Sequence, residues 1–136
     1  MNEGWFLTER LLLEINRLCQ QNDSKFVLAY IPRAIEVVPG ILQLEQQKLG
    51  LSEPASAFDL YQPEKRLAEI AQRNEIMFVP MADRFRQTAP QKFYLAPIMR
   101  DGHLSALGQS VVAQTLAEYL HQQDVLPPNN FRATGG

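Results

Sequence analysis

A chain of 136 residues fits one domain, and a domain of that size buries about 68–70% of its unfolded surface. Hydrophobic residues make up 46% and charged residues 21%, a globular rather than a disordered balance. The net charge of −2 argues against a nucleic-acid or anionic-membrane surface, and the single cysteine, Cys19, rules out an internal disulfide framework and a thiolate metal cluster.

The first twenty residues scatter Glu3, Glu9, Arg10 and Glu14 among leucines. They predict neither a signal peptide nor a membrane span, and the chain is expected in the cytoplasm. Leu7, Leu11, Leu12, Ile15, Leu18 and Cys19 recur at spacings of three and four, which predicts a helix over 5–21 with a buried stripe. Trp5 and Phe6 at its start read as core, and Asn22 with Asp23 breaks it. Residues 26–31 are an unbroken apolar run ending at Pro32. Such a run suits a parallel strand covered on both faces.

Pro32, Pro39 and Pro54 interrupt residues 32–60, which hold a short helix from Ile41 to Leu49 closed by Gly50. Pro63 opens the next helix, with Leu67, Ile70 and Ala71 inward and Asn74 at its end. Residues 76–79 form a second strand, stopped by Pro80. A brief helix over 81–87 follows, on which Arg84 and Arg86 read as a solvated face. Residues 93–95 are a weak third strand. Ser105 starts the last helix, whose apolar face is Val111, Val112, Thr115, Leu116, Tyr119 and Leu120. Residues 1–126 thus read as a single α/β domain, and 127–136, rich in Pro, Asn and Gly, as a flexible tail.

Helices alternating with short apolar strands predict βαβ units, joined into a parallel sheet with helices on both sides. Ligands of such sheets bind beyond the carboxyl ends of the strands. The turns after Pro32 and Pro80 and the predicted loop at 101–103 fall at that edge. That loop places a carboxylate, Asp101, two residues before an imidazole, His103. A neutral histidine serves as a general base when an acceptor holds its second ring nitrogen, and this spacing supplies base and orienter together. The same residues have plainer readings: Asp-Gly as a turn and His103 as a capping histidine. As a metal pair they lack a third ligand of suitable spacing, His121 being at the far end of the helix.

Asp101-Gly102-His103-Leu104-Ser105, followed by Gly108 and the apolar helix to Leu120, resembles the last block of SGNH (GDSL-type) hydrolases. It is most similar to the Asp-Gly-His variants among polysaccharide O-acetyl esterase and acyltransferase relatives. The upstream order agrees: a helix, the strand ending in Pro32, then Pro63-Glu64-Lys65-Arg66-Leu67 leading to the second strand. The resemblance implies a three-layer α/β fold of the SGNH/flavodoxin-like kind, a parallel sheet flanked by helices and here lacking its first strands. It implies His103 as general base, Asp101 as its orienter, and Gly108 as the residue that lets the last helix pack closely.

The family's nucleophilic serine lies in a Gly-Asp-Ser segment after its first strand, and its oxyanion donors in later Gly and Asn blocks; neither has a match here. Gly50-Leu51-Ser52 is a weak substitute, because no strand precedes it and Glu53-Pro54 follows. The expected function is therefore a hydrolase acting on ester bonds, an esterase or O-acyl hydrolase or transferase, of which this chain carries the Asp–His part. It calls for no cofactor, and its substrate is a small-molecule or carbohydrate acyl ester. The alternative is a non-catalytic fragment or pseudoenzyme that assembles through its incomplete sheet, as a homo-oligomer or with a partner chain covering the open edge.

Overall fold

Two short strands organise the computed structural model, which describes residues 3–96 and 101–126, the side chains of Ala55, Ala96 and Asp101 excepted. The predicted tail at 127–136 lies outside the described residues. β1 (Val27–Tyr30) comes from the first apolar run and β2 (Met77–Pro80) from the second. They pair in parallel, from Val27 against Met77 to Tyr30 against Pro80. Pro80 ends the ladder because it has no N–H to donate. Around them lie α1 (Glu3–Gln21), α2 (Ala34–Val37), α3 (Ile41–Leu49), α4 (Gln62–Arg73), α5 (Ala82–Arg86) and α6 (Ala106–Gln122). Single 3-10 turns occur at Ala55–Ala57 and Pro90–Lys92. The architecture is mixed α/β, and no described helix is long and apolar enough to cross a membrane.

The helix ends follow their punctuation. Asn22 closes α1 by donating from its side-chain amide to the Leu18 carbonyl at 2.8 Å, and Asp23 turns the chain through a left-handed backbone angle. Gly50 ends α3 at φ 65°, a conformation that glycine adopts without a Cβ penalty. Pro63 sits in the first turn of α4, where its missing N–H costs nothing, and Asn74 caps the other end onto Ile70 O at 2.8 Å.

Side chains alternate along a strand, so the parallel pair feeds two clusters, one on each face. Phe26, Leu28, Ile76 and Phe78 meet Trp5 and Leu12 of α1 and Leu67, Ile70 and Ala71 of α4. Val27, Ala29 and Val79 meet Ala34 and Val37 of α2, Met81, Ala82 and Phe85 around α5, and Val111, Val112, Leu116 and Tyr119 of α6. Phe85 and Phe93, both fully buried, pack edge to face at 5.1 Å. Full burial of each ring contributes about 1.5–3 kcal/mol, and the pairing about 0.5–1.5 kcal/mol more.

Three expectations are corrected. The stripe on α1 is not buried: of its leucines only Leu12 is in the core, while Leu7, Leu11, Ile15 and Leu18 stand 57%, 56%, 43% and 46% exposed. Cys19 is half-buried and Phe6 exposed. A sheet two strands wide offers α1 room for one edge of its apolar arc, and the rest overhangs. For the same reason β1 is half-buried along its length rather than fully covered. The third correction concerns the third strand. β3 (Tyr94–Ala96) does not join β1 and β2; it pairs antiparallel with β4 (Asp101–Leu104), the segment read as a loop, in a separate two-stranded sheet.

Gly108, one turn into α6, is buried, and a Cβ built on it would overlap the backbone carbonyl of Phe93. Gly108→Ala should therefore destabilise the protein by about 1–3 kcal/mol in urea unfolding, as overpacking against rigid backbone does. That loss runs against the gain of about 1 kcal/mol which alanine brings to an open helix position.

Glu9 of α1 accepts from Arg73 Nε at 2.7 Å and Nη2 at 2.6 Å, and from the Asn74 amide at 3.1 Å, tying α1 to α4. These hydrogen bonds, Arg73 foremost, hold its carboxyl below the usual 4.5. A carboxylate depressed in the folded state stabilises above its unfolded pKa and loses that contribution as pH falls through the folded one. Urea midpoints of wild type and Glu9→Gln, followed from neutral pH downward, should converge as Glu9 is protonated; a constant gap at all pH values would contradict the link.

Candidate functional site

The segment carrying His103 is held by its neighbours on three sides. Tyr94 of β3 faces Leu104 of β4 in register, and its phenol donates to the Pro32 carbonyl at 2.7 Å. Pro32 lies just beyond the carboxyl end of β1, so this bond seats the β3–β4 pair at the edge where the parallel strands finish. Leu104 packs into the cluster shared with α6. Pairing of 101 and 104 with β3 and the packing of Leu104 draw this segment into a strand where a loop was expected.

Ser105 locks the junction of β4 and α6. Its N–H donates to Phe93 O at 2.7 Å, and its hydroxyl donates to Lys92 O at 2.6 Å while accepting from Gly108 N at 3.2 Å. The predicted N-cap is thus present. With Gly108 pressed on the Phe93 carbonyl, it binds the start of α6 to the turn at Pro90–Lys92.

His103 itself is exposed on β4. The side chain of Asp101 and the whole of 97–100 lie outside the described residues; the backbone places positions 101 and 103 in the same strand, where a register shift sets the step from 101 to 104 in β4 against the shorter step from 94 to 96 in β3. His121 is half-buried in the last turn of α6. Ser52 lies exposed after α3, with no strand before it, so it lacks the strand–turn–helix geometry of a nucleophile elbow. Among the described residues no three His, Cys, Asp or Glu side chains gather as a metal site.

The ends of the parallel strands carry a polar network that sequence reasoning missed. Tyr30, the last residue of β1, donates to Glu36 Oε2 at 2.6 Å. Burial first, then this bond, pushes its phenol far above the ordinary range, so it stays a neutral donor. Tyr94 is raised likewise by burial, with the Glu36 carboxylate adding to it. Glu36 therefore lies between the end of β1, at Tyr30, and the start of β3, at Tyr94. Beyond β2, Glu64 of α4 reaches across to accept from the backbone N–H groups of Met81 and Ala82 at 2.9 and 3.0 Å, fixing the turn into α5.

Beside this network opens a cleft of about 700 Å³ whose walls include Glu36, Gln43, Tyr61, Arg86, Thr88 and Gln91. Here the expectation for the arginines divides. Arg84 is solvated, near Glu118 at 3.6 Å. Arg86 is not: its side chain is 20% exposed, its guanidinium stacks 4.1 Å from the Tyr61 ring centre, and it donates to Asp83 Oδ1 at 2.9 Å and weakly to Glu36 O at 3.4 Å. Its Nε is buried with no hydrogen-bond partner among the described residues. A five-residue helix that buries Phe85 completely must turn the adjacent residue along the protein surface, and here that surface is Tyr61. A tyrosine closing an apolar strand and a glutamate in the next short helix were the one sequence signal for this end of the molecule.

Chemically, the region offers an exposed imidazole on a strand fixed at both ends, two neutral phenols, and a stacked guanidinium in an open cleft. An imidazole so placed can accept a proton; the chain has no Gly-Asp-Ser segment to set a serine nucleophile against it. Comparison with protein-family models, with curated proteins and with solved structures finds no match for this chain.

Proposed function

We propose that this chain carries the base-and-orienter part of an ester-hydrolysing site of the SGNH type, with His103 as general base and Asp101 holding it. The observation that supports this reading most is how the whole 101–108 block is used. The Asp-Gly-His strand runs directly into a helix capped by Ser105, and Gly108 is the residue whose missing Cβ admits the Phe93 carbonyl. A chance Asp-Gly turn would make no such demands on the positions after it. The Tyr94 bond to Pro32 adds the expected location, at the carboxyl end of parallel strands.

In this reading β1 and β2 are neighbouring strands of a wider three-layer parallel sheet, with α1 and α4 on one face and α2, α5 and α6 on the other. The substrate is an acyl ester, a small molecule or a carbohydrate. His103 takes the proton from the attacking hydroxyl or water and returns it to the leaving alcohol, and Asp101 fixes the imidazole tautomer. A second reading, a domain that works by assembly rather than chemistry, draws on the exposed apolar stripe of α1.

Hydrolysis of p-nitrophenyl acetate at neutral pH tests the first reading. His103→Ala should lower the rate above background by about 10²-fold or more, the usual contribution of a positioned base, and Asp101→Asn should lower it less. His121→Ala, at the far end of α6, should leave it unchanged. A rate indifferent to His103→Ala, or no rate above buffer, would remove the catalytic assignment.

A further inference from the structure

A helix whose apolar arc is wider than the surface beneath it has unspent burial. In α1 the residues that meet the core, Trp5 and Leu12, lie to one side of the arc, and Leu7, Leu11, Ile15 and Leu18 continue it into solvent. Their spacings of four, four and three put them on one stripe of a straight helix about 28 Å long. Monomeric proteins seldom leave four large aliphatic side chains contiguous and about half exposed on one helix.

The charges beside the stripe select what covers it. Arg10, Glu14 and Arg17 follow one another along a single flank, and with Leu7, Leu11 and Leu13 they line an open groove. Glu14 is bonded to Arg17, and Arg10 leans over the Phe6 ring at 5.8 Å. The opposite flank carries Thr8 and Cys19, with no charge. When two copies of a helix pair in parallel, one copy's flank meets the other's opposite flank, and these charges find no partners. When they pair antiparallel, like flanks meet. The register that sets Arg10 against Glu14 of the second copy then sets Glu14 against the second Arg10 and lays the two stripes over one another.

We propose that α1 is a self-association helix: two copies of this chain pair their α1 helices antiparallel about a two-fold axis near position 12, burying the Leu7–Leu11–Ile15–Leu18 stripe between reciprocal Arg10–Glu14 contacts. The pairing is isologous and closes at two copies, as a two-fold contact requires. It rests on the assembly reading and draws on no residue of the 101–108 block, so sedimentation decides it while the esterase assay decides the other reading.

Sedimentation velocity of the full chain over a concentration series tests it, with circular dichroism as the folding control. The wild type should move from monomer to dimer and no further. Leu11→Glu changes a side chain already 56% exposed, so the fold should persist while the dimer is lost. Leu7→Glu provides an independent variant of the same kind. Arg10→Glu and Glu14→Arg should each weaken association about tenfold or more, because each sets like charges face to face. The double variant Arg10→Glu/Glu14→Arg exchanges the charges on both copies and should restore wild-type association. A chain monomeric at every concentration, a dimer unmoved by Leu11→Glu and Leu7→Glu, or a double variant as weak as the single ones would each overturn the proposal.

Discussion

A parallel strand pair buries its apolar side chains only if helices cover both of its faces, and everything else in this molecule is arranged around that demand. β1 and β2 send alternate residues to opposite sides, so the chain supplies α1 and α4 to one face and α2, α5 and α6 to the other. The pair is only two strands wide. It cannot bury the full apolar width of the helices laid over it, and α1, with most of its leucines in water, shows the mismatch most directly.

The same demand positions the candidate site. Because α6 must lie close to β2 and β4, its first turn meets the chain at Phe93, and only a residue without a side chain fits at that contact. Gly108 and the Ser105 cap therefore act together. One permits the approach and the other ties it down with three hydrogen bonds. His103 stands two residues before this junction, on a strand braced by Tyr94 against the end of β1. Its location at the strand edge is a consequence of packing as much as of the short motif around it.

Polar groups at that edge are organised by burial. Tyr30 and Tyr94 keep their protons because burial and the nearby Glu36 carboxylate disfavour a phenolate, so each remains a donor with a fixed acceptor. Glu64 answers a different need. Met81 and Ala82 are almost wholly buried at the start of a five-residue helix, and their N–H groups require an acceptor from elsewhere in the chain. The result is a hydrogen-bonded rim next to an open cleft, in which Arg86 both stacks on the Tyr61 ring and donates to Asp83.

Local signals in the sequence determined α1, α3, α4, α5 and α6, though not the single turn of α2 between Pro32 and Pro39. Periodicity marked α1, α4 and α6, proline and glycine marked where α3 and α4 begin or stop, and the Ser105 cap was legible from its place before an apolar face. These features depend on residues within a turn or two of one another, which is why they can be read along the chain. The parallel order of β1 and β2 was also foreseeable, since unbroken apolar runs separated by a helix admit few other pairings. The partner of the third strand was not. Whether 94–96 joins β2 or folds back on 101–104 depends on where Tyr94 and Leu104 find cover, a matter of distant contacts. Nor could periodicity say how much of the α1 stripe would be buried: a stripe records which side chains avoid water, whereas the width of the surface beneath it is set by the number of strands that pair. The Arg86 cleft belongs to the same class, because Glu36, Tyr61 and Arg86 come from separate segments and meet only when the fold closes.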